Sequence, residues 1–398
     1  MLTYNNKKEK RRNNLLIFLL LFFSGNPLAL EYPIMEYRFF FLAFILIIYA
    51  ASRRRGIVNN DIRMFYIVTA IIFLFQIVSL HYFSYPAAIN FLATATCGIL
   101  VARIIGQDFR DAYFRVMYVL CIISLIGQAL YTIGLYPGVP INQGNFTSII
   151  VHNVKIRSLV LGNEFSLRNS GMFWEPGAFQ GYIMLTFLMY LGNIRELWAR
   201  HKKKCIVILI TVISTFSTTA YIALGIIGLY IALTYSKNII LKALSVAIVI
   251  YGTVYVYKSN EFMEQKIMDE IEYIEGGGIA VGRIGSATID WHYIKKHPII
   301  GNSLHNETRF SEHLWLDRIR SISNGFTDIT AKMGIVFILM YLVLIYKRLH
   351  KGNLEKLFTI ILIVILLQGE CFFNYPLFFA LPFIILGTEK QNYKRVRV

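Results

Sequence analysis

Arg168, Glu175 and Arg283 are the residues whose types and placement could do chemistry in this chain. Arg168 opens the run Arg-Asn-Ser-Gly-Met-Phe-Trp-Glu-Pro-Gly, which closes at Gly177 where a polar loop enters an apolar segment. Arg283 opens a second polar stretch, reaching Gly301, in the other long loop. Guanidinium keeps its charge and matches phosphate oxygens in bidentate fashion, so a pair of them suits a diphosphate leaving group. A loop arginine is ordinarily a solvated or salt-bridged side chain. Placement in the two long loops counts against that plain reading for these two; Arg157, Arg318 and Arg320 are weaker alternatives. Glu175 stands before Pro176, a natural first helical residue, at the mouth of an apolar helix whose first N–H groups lack partners. Its plain role is a helix-start carboxylate; its chemical role would be a base. Burial disfavours its charge, whereas the helix terminus and Arg168 favour it.

Other side chains in the two loops could contact a substrate. Trp174 is an interfacial aromatic, Arg157 a further cation, and Asp290, Trp291, His292 and Asn324 offer polar or stacking contacts. His292, His297, His305 and His313 gather in the second loop, but at spacings that fit no compact metal-ligand motif. No Asp-x-Asp pair suggests a metal-bound sugar nucleotide, so neither a metal nor a cofactor is expected. Cys97, Cys121, Cys205 and Cys371 are far apart in or beside apolar segments and read as buried free thiols.

The elements that must hold these residues are spans. The chain has 398 residues, 56% of them hydrophobic, with a mean hydropathy of +0.54. That composition suits a chain dissolved in lipid, where a spanning helix needs about 20 mostly apolar residues. The apolar runs predict twelve spans, at 15–31, 35–51, 64–83, 85–105, 112–135, 175–192, 204–218, 219–235, 239–257, 328–346, 356–371 and 374–388. Residues 1–398 read as a single integral membrane domain, an all-α polytopic protein in which most connections are short. The two long loops, 136–174 and 258–327, fall on the same side of the membrane. Long structured loops in a compact protein are usually functional.

The formal charge of +17 is a topology signal. Its basic clusters, Lys7–Arg12, Arg53–Arg55, Lys202–Lys204, Lys347–Lys351 and Lys394–Arg397, lie in segments that face inward if the amino terminus is cytoplasmic. Both termini are then cytoplasmic and both long loops extracytoplasmic. Clusters so scattered make no nucleic-acid surface. Lys7–Arg12 followed by Leu15–Phe23 imitates a secretory signal, but Pro27-Leu28-Ala29 is a poor cleavage site, and a first span is expected. In the second loop, Ile284, Ala287, Trp291 and Ile294 form one apolar stripe, with Asp290, Tyr293 and Lys296 opposite. Such a helix fits either the membrane interface or its own loop. Glu370, at an outer span end, reads as interfacial. The scarcity of charge within the spans argues against an ion-coupled carrier.

These motifs resemble a known family. Arg168-x-x-Gly171-x-Phe173-x-Glu175-Pro176-Gly177 resembles the outer-loop segment of Wzy-type polymerases of oligosaccharide repeat units. Ser214-Thr215-Phe216-Ser217-Thr218-Thr219 is similar to their Ser/Thr-rich helix end. Arg283, then Asp290-Trp291, His297-Pro298 and Gly301, resembles a second-loop pattern shared with O-antigen ligases, and Ser323-Asn324-Gly325 with Gly334-Ile335 resembles the span that follows. Where ligases carry His-Asn, this chain has Ser323-Asn324, which favours polymerase over ligase. The resemblance implies a GT-C-like helical fold and an inverting, metal-independent glycosyl transfer in the bacterial cytoplasmic (inner) membrane. It implies undecaprenyl-diphosphate-linked oligosaccharide as substrate, Arg168 and Arg283 as the clamp on the leaving group, and Glu175 as base, with Asp290 or His292 as substitutes. A chain-length regulator is the partner it suggests. A flippase or exporter of the same glycan is the competing class, and it would place its cations in a central cavity.

Overall fold

The structure is a computed structural model. It describes residues 2–31, 38–52, 59–80, 83–141, 146–155, 168–240, 242, 244, 246–247, 251, 283–305, 324–349 and 352–384. The described chain is predominantly helical, as an all-α membrane protein should be. The helices are α1 (Leu2–Phe23), α2 (Pro27–Glu31), α3 (Arg38–Ser52), α4 (Asn60–Ser79), α5 (Tyr85–Ile105), α6 (Phe109–Thr132) and α7 (Pro176–Met189). They continue with α8 (Ile194–Ser214), α9 (Thr218–Tyr235), α10 (Arg283–Lys296), α11 (Gly325–Arg348), α12 (Asn353–Gly369) and α13 (Pro376–Ala380). Among the described residues, four stretches are long and apolar enough to cross a membrane: Asn60–Ser79, Tyr85–Thr132, Thr218–Tyr235 and Gly325–Arg348. The second contains both α5 and α6, separated by a 3-10 turn at Gly106–Asp108.

The expected span 374–388 is corrected. Its described part is the five-residue α13 and a 3-10 turn at Leu381–Phe383. Pro376 and Pro382 restrict a continuous ladder; residues 376–384 are buried, with α13 packed on α5. Most of 239–257 lies outside the described residues.

Helix starts follow from local chemistry. The Asn59 side chain accepts from Ile62 N–H at 2.9 Å, Ser84 Oγ from Ala87 N–H at 3.3 Å, and Asn324 from Thr327 N–H at 3.2 Å. Outward faces remain apolar: Phe40, Phe44 and Ile48 on α3, and Ile67, Ile71 and Leu74 on α4, are all exposed. In water such a belt would drive aggregation; in lipid it is solvated. In contrast, α7 is buried along all its 14 residues. At 1.5 Å per residue it rises about 21 Å, short of the roughly 30 Å hydrocarbon core, so protein surrounds it.

One break in a long helix has an identifiable filling. Gly334 in α11 has φ +77° and ψ 171°, a backbone conformation open to glycine alone. The turn after α10 docks into the gap: Ile335 N–H donates to Pro298 O at 2.8 Å, and Asn302 N–H to Ala331 O at 2.8 Å. Gln76 of α4 donates to Ile300 O at 2.6 Å and Lys332 O at 2.8 Å. Backbone groups freed within a membrane must find protein partners, and these do. The residues His297-Pro298…Gly301 and Gly334-Ile335, read as separate motifs, are thus one joint.

The described residues of the first long loop include no helix. They carry a three-stranded antiparallel sheet, β1 (Val139–Ile141), β2 (Phe146–Ser148) and β3 (Asn153–Lys155), in sequence order. Val139 pairs with Ser148, and Phe146 with Lys155. The β2–β3 turn holds Ile150 at φ +70°. His152 is fully buried beneath it, its Nδ1 3.0 Å from Tyr136 Oη, while that hydroxyl donates to His152 O at 2.6 Å. A single hydroxyl proton cannot serve both, so Nδ1 carries the proton in the neutral ring. Desolvation pushes the His152 pKa down to about 4.

Candidate active site

The site lies where the amino terminus of α7 meets the carboxyl ends of α8 and α12 and the start of α10. Asn169 fixes the approach of the first arginine. Its Nδ2 donates to Ser124 Oγ and Ser214 Oγ, each at 3.1 Å, and its backbone N–H to Ser214 O at 3.0 Å. Arg168 then donates from Nε to Thr215 O at 3.1 Å. Four residues along, Thr219 Oγ1 accepts from Arg283 Nη1 at 3.0 Å. The Ser/Thr run at 214–219 is therefore the bracket that holds both arginines at one place.

Two carboxylates face this pair. Glu175 occupies the cap position of α7 with extended backbone (φ −159°, ψ 161°), yet its side chain makes no capping hydrogen bond. Its Oε2 lies 4.0 Å from Lys155 Nζ at the end of β3. Glu370, just past α12, lies 3.7 Å from Arg283 Nη2 and is almost fully buried. Gly177 records how closely these groups converge. A Cβ there would stand 2.5 Å from Glu370 Oε1 and 3.3 Å from both Arg283 Nη2 and Glu175 Oε1. Only glycine leaves the space through which the three side chains approach. Burial pulls the Arg168 pKa down to about 10; Glu175 opposes that shift and Arg283 adds to it. The guanidinium is charged at neutral pH throughout. Two arginines, a lysine and two carboxylates thus meet at the positive end of a protein-enclosed helix, an arrangement suited to anion binding beside a proton acceptor.

The three residues expected to carry chemistry come together. Trp174 lies beside them, its ring 4.9 Å from that of Tyr375. Tyr375 also lines a cavity of about 370 Å³ with Asn90, Thr94, Asp328, Lys332 and Asn374. Asp290 is buried and accepts from Thr327 Oγ1 at 2.7 Å, while Asn324 caps α11; both therefore hold α10 and α11 in place. Trp291 and His292 are exposed on the outer side of α10 and do not join the site. The expected stripe on α10 is rotated: Ile294 is buried as expected, but Ser286, Asp290 and Tyr293 join it and Trp291 does not, because α11 offers Thr327 and Ala331 to that face. Arg157 lies outside the described residues.

Glu370, Thr215, Thr219, Lys155 and Gly177 were missed as site residues. Glu370, expected at an outer span end, is Arg283's buried partner. The one signal in the sequence was a carboxylate ending an otherwise uncharged apolar run.

Fold and site together define a helical membrane protein with a buried, arginine-rich polar centre at one end of its bundle. Residues 205–342 match a family model described as O-antigen ligase. The resemblance read from the motifs is borne out over that stretch, which contains the Ser/Thr bracket, Arg283 and Asn324. The match supports a membrane enzyme of the ligase or polymerase type. No curated protein matches the chain, and no solved structure does.

Proposed function

We propose that this protein polymerises undecaprenyl-diphosphate-linked oligosaccharide repeat units by inverting glycosyl transfer at the outer face of the cytoplasmic membrane. The observation that carries this reading is the meeting of Arg168, Arg283 and Glu175 at the start of α7. An acceptor sugar hydroxyl attacks the donor anomeric carbon from the face opposite the diphosphate. The new C–O bond forms as the bond to the lipid diphosphate breaks, and the diphosphate leaves with the electron pair. Arg168 and Arg283 neutralise the charge that develops there, an effect often worth several kcal/mol. Glu175, turned away from its own helix N–H groups, takes the hydroxyl proton. Glu370 and Thr219 hold Arg283 at its angle. The 3.7 Å separation from Glu370 is longer than a direct charged hydrogen bond, so a bound diphosphate can compete for that guanidinium. The cavity beside Tyr375 and Trp174 offers aromatic and amide contacts for sugar.

Arrangement by ends supports the orientation. The loop residues of the site lie at one end of the bundle. At the other are the ion pairs Arg348–Asp61 (2.6 Å) and Arg115–Asp108 (2.9 Å), among the basic clusters.

Ligation of finished chains is the second reading, favoured by the description of the matched family. Ser323, where ligases carry histidine, speaks for polymerisation. A null strain separates them. Loss of a polymerase leaves single repeat units still joined to their final acceptor, whereas accumulation of full-length glycan on undecaprenyl diphosphate would establish the ligase.

A further inference from the structure

At the end of the bundle away from the site, α6, α8 and the start of α1 enclose a second cavity, of about 300 Å³. Lys10, Arg110, Arg115, Arg200 and Lys204 line it against only Asp111 and Glu196. Two of these cations sit in close ion pairs: Arg115 with Asp108 at 2.9 Å, and Arg200 with Glu196 at 2.5 Å. Arg110 is placed differently. Its guanidinium lies 4.3 Å from the centre of the Tyr190 ring and only 3.8 Å from Asp111, whose Oδ1 accepts the Tyr190 hydroxyl. Lys204 Nζ stands over the rings of Phe114 and Tyr118, at 5.9 and 5.2 Å, and makes no ion pair among the described residues. The helix itself gives way here: His201 has φ −135° and ψ 32°, and its ring rests on Phe114 at 5.4 Å. The kink sets the cationic first part of α8 at an angle to its apolar second part.

We propose that this cavity binds a phosphate-bearing anion, and that its occupant is the headgroup of an anionic phospholipid. Excess positive charge in an aromatic-walled recess between membrane helices is the chemistry that phosphate headgroups seek. Continuity with lipid decides for a lipid over a soluble phosphate. Immediately beyond Lys204, the α8 residues Ile206, Ile210 and Ile213 are exposed in succession, as are Val119 and Ile126 on α6. They form an apolar track from the cavity along which acyl chains can lie. Trp198, exposed at the rim, marks the depth of an interfacial aromatic. The headgroup would tie α6, α8 and the amino-terminal helix together at the face opposite the candidate active site.

Native mass spectrometry of the full-length protein, delipidated in neutral detergent and titrated with phosphatidylglycerol or phosphatidylcholine, tests this. Phosphatidylglycerol should be retained in preference, and Lys204→Gln should weaken it by about fivefold, the effect of one cation near a membrane surface. Arg110→Gln, which also disturbs the Tyr190 stack, should do at least as much. Lys242→Gln, outside the cavity, should change nothing and monitors nonspecific charge. An excess of glycerol 3-phosphate should displace little of the lipid. Displacement at equal concentration would overturn the lipid and leave a soluble phosphate as occupant. Equal retention of both lipids, or equal retention by wild type and Lys204→Gln of native elution profile, would overturn the site.

Discussion

At the level of single residues, the account rests on geometry around Gly177. Gly177→Ala would place a methyl group 2.5 Å from Glu370 Oε1 and force that carboxylate, and Arg283 with it, to shift. Activity should fall by about 100-fold, the scale of a 1 Å misplacement, while elution and melting in detergent stay near wild type. Arg283→Lys retains charge but loses the planar fork that reaches Thr219 and Glu370 together, so chain length in a complemented null strain should be only partly restored. Glu175→Gln keeps size and removes proton acceptance. Full activity in that variant would remove Glu175 as base and direct attention to Glu370. Arg168, Glu175 and Arg283 were legible because each stands out chemically against an apolar background. Glu370 was not: nothing local reveals that the end of one apolar helix meets the start of another almost two hundred positions earlier. The buried face of α10 was not legible for a related reason. A helical stripe shows which residues share a face, but the partner surface decides which face is buried, and α11 presents Thr327 to Asp290.

Among elements, helix existence and type were readable, while interruptions were not. The apolar runs gave α5 and α9 nearly to the residue, and α4 and α6 to within about four residues at each end. The sheet escaped because its strands have three residues each, too short for alternation to register. The joint of Pro298 with Gly334 escaped because it pairs a turn with a helix across the second loop. It should nevertheless be sensitive: Gly334→Ala forces a side chain into a glycine-only conformation costing on the order of 1–3 kcal/mol, and against Ile299 O besides. A lowered melting temperature in detergent would show this. The sheet should be acid-labile. His152 is held neutral with its pKa lowered to about 4, against about 6.5 when unfolded. Above 6.5 the ring is neutral in both states and costs nothing. Between 6.5 and 4 only the unfolded segment gains a proton, so local stability falls by about 3 kcal/mol and then levels off. Hydrogen exchange of amides in 146–155 should accelerate over that window, and His152→Gln should abolish the pH dependence.

For the whole molecule, composition and charge foretold a membrane protein with opposite ends of different character, and the bundle separates polar site from basic clusters accordingly. Membrane sidedness has its own check. A cysteine replacing Ile150, exposed in the β2–β3 turn, should react with an impermeant maleimide from outside, and one replacing Lys237 only from inside; the reverse would remove the site from the outer face. The central claim, a two-arginine clamp on a diphosphate leaving group in a polymerising enzyme, is tested most directly by incubating purified protein with a defined undecaprenyl-diphosphate-linked repeat unit and resolving the products by length. Wild type should yield a ladder of multiples, and Arg168→Ala and Arg283→Ala, each correctly inserted, should slow its formation by about 100- to 1,000-fold, the range for losing one preorganised charge-stabilising donor. A ladder of near-normal rate and length from both variants would contradict it.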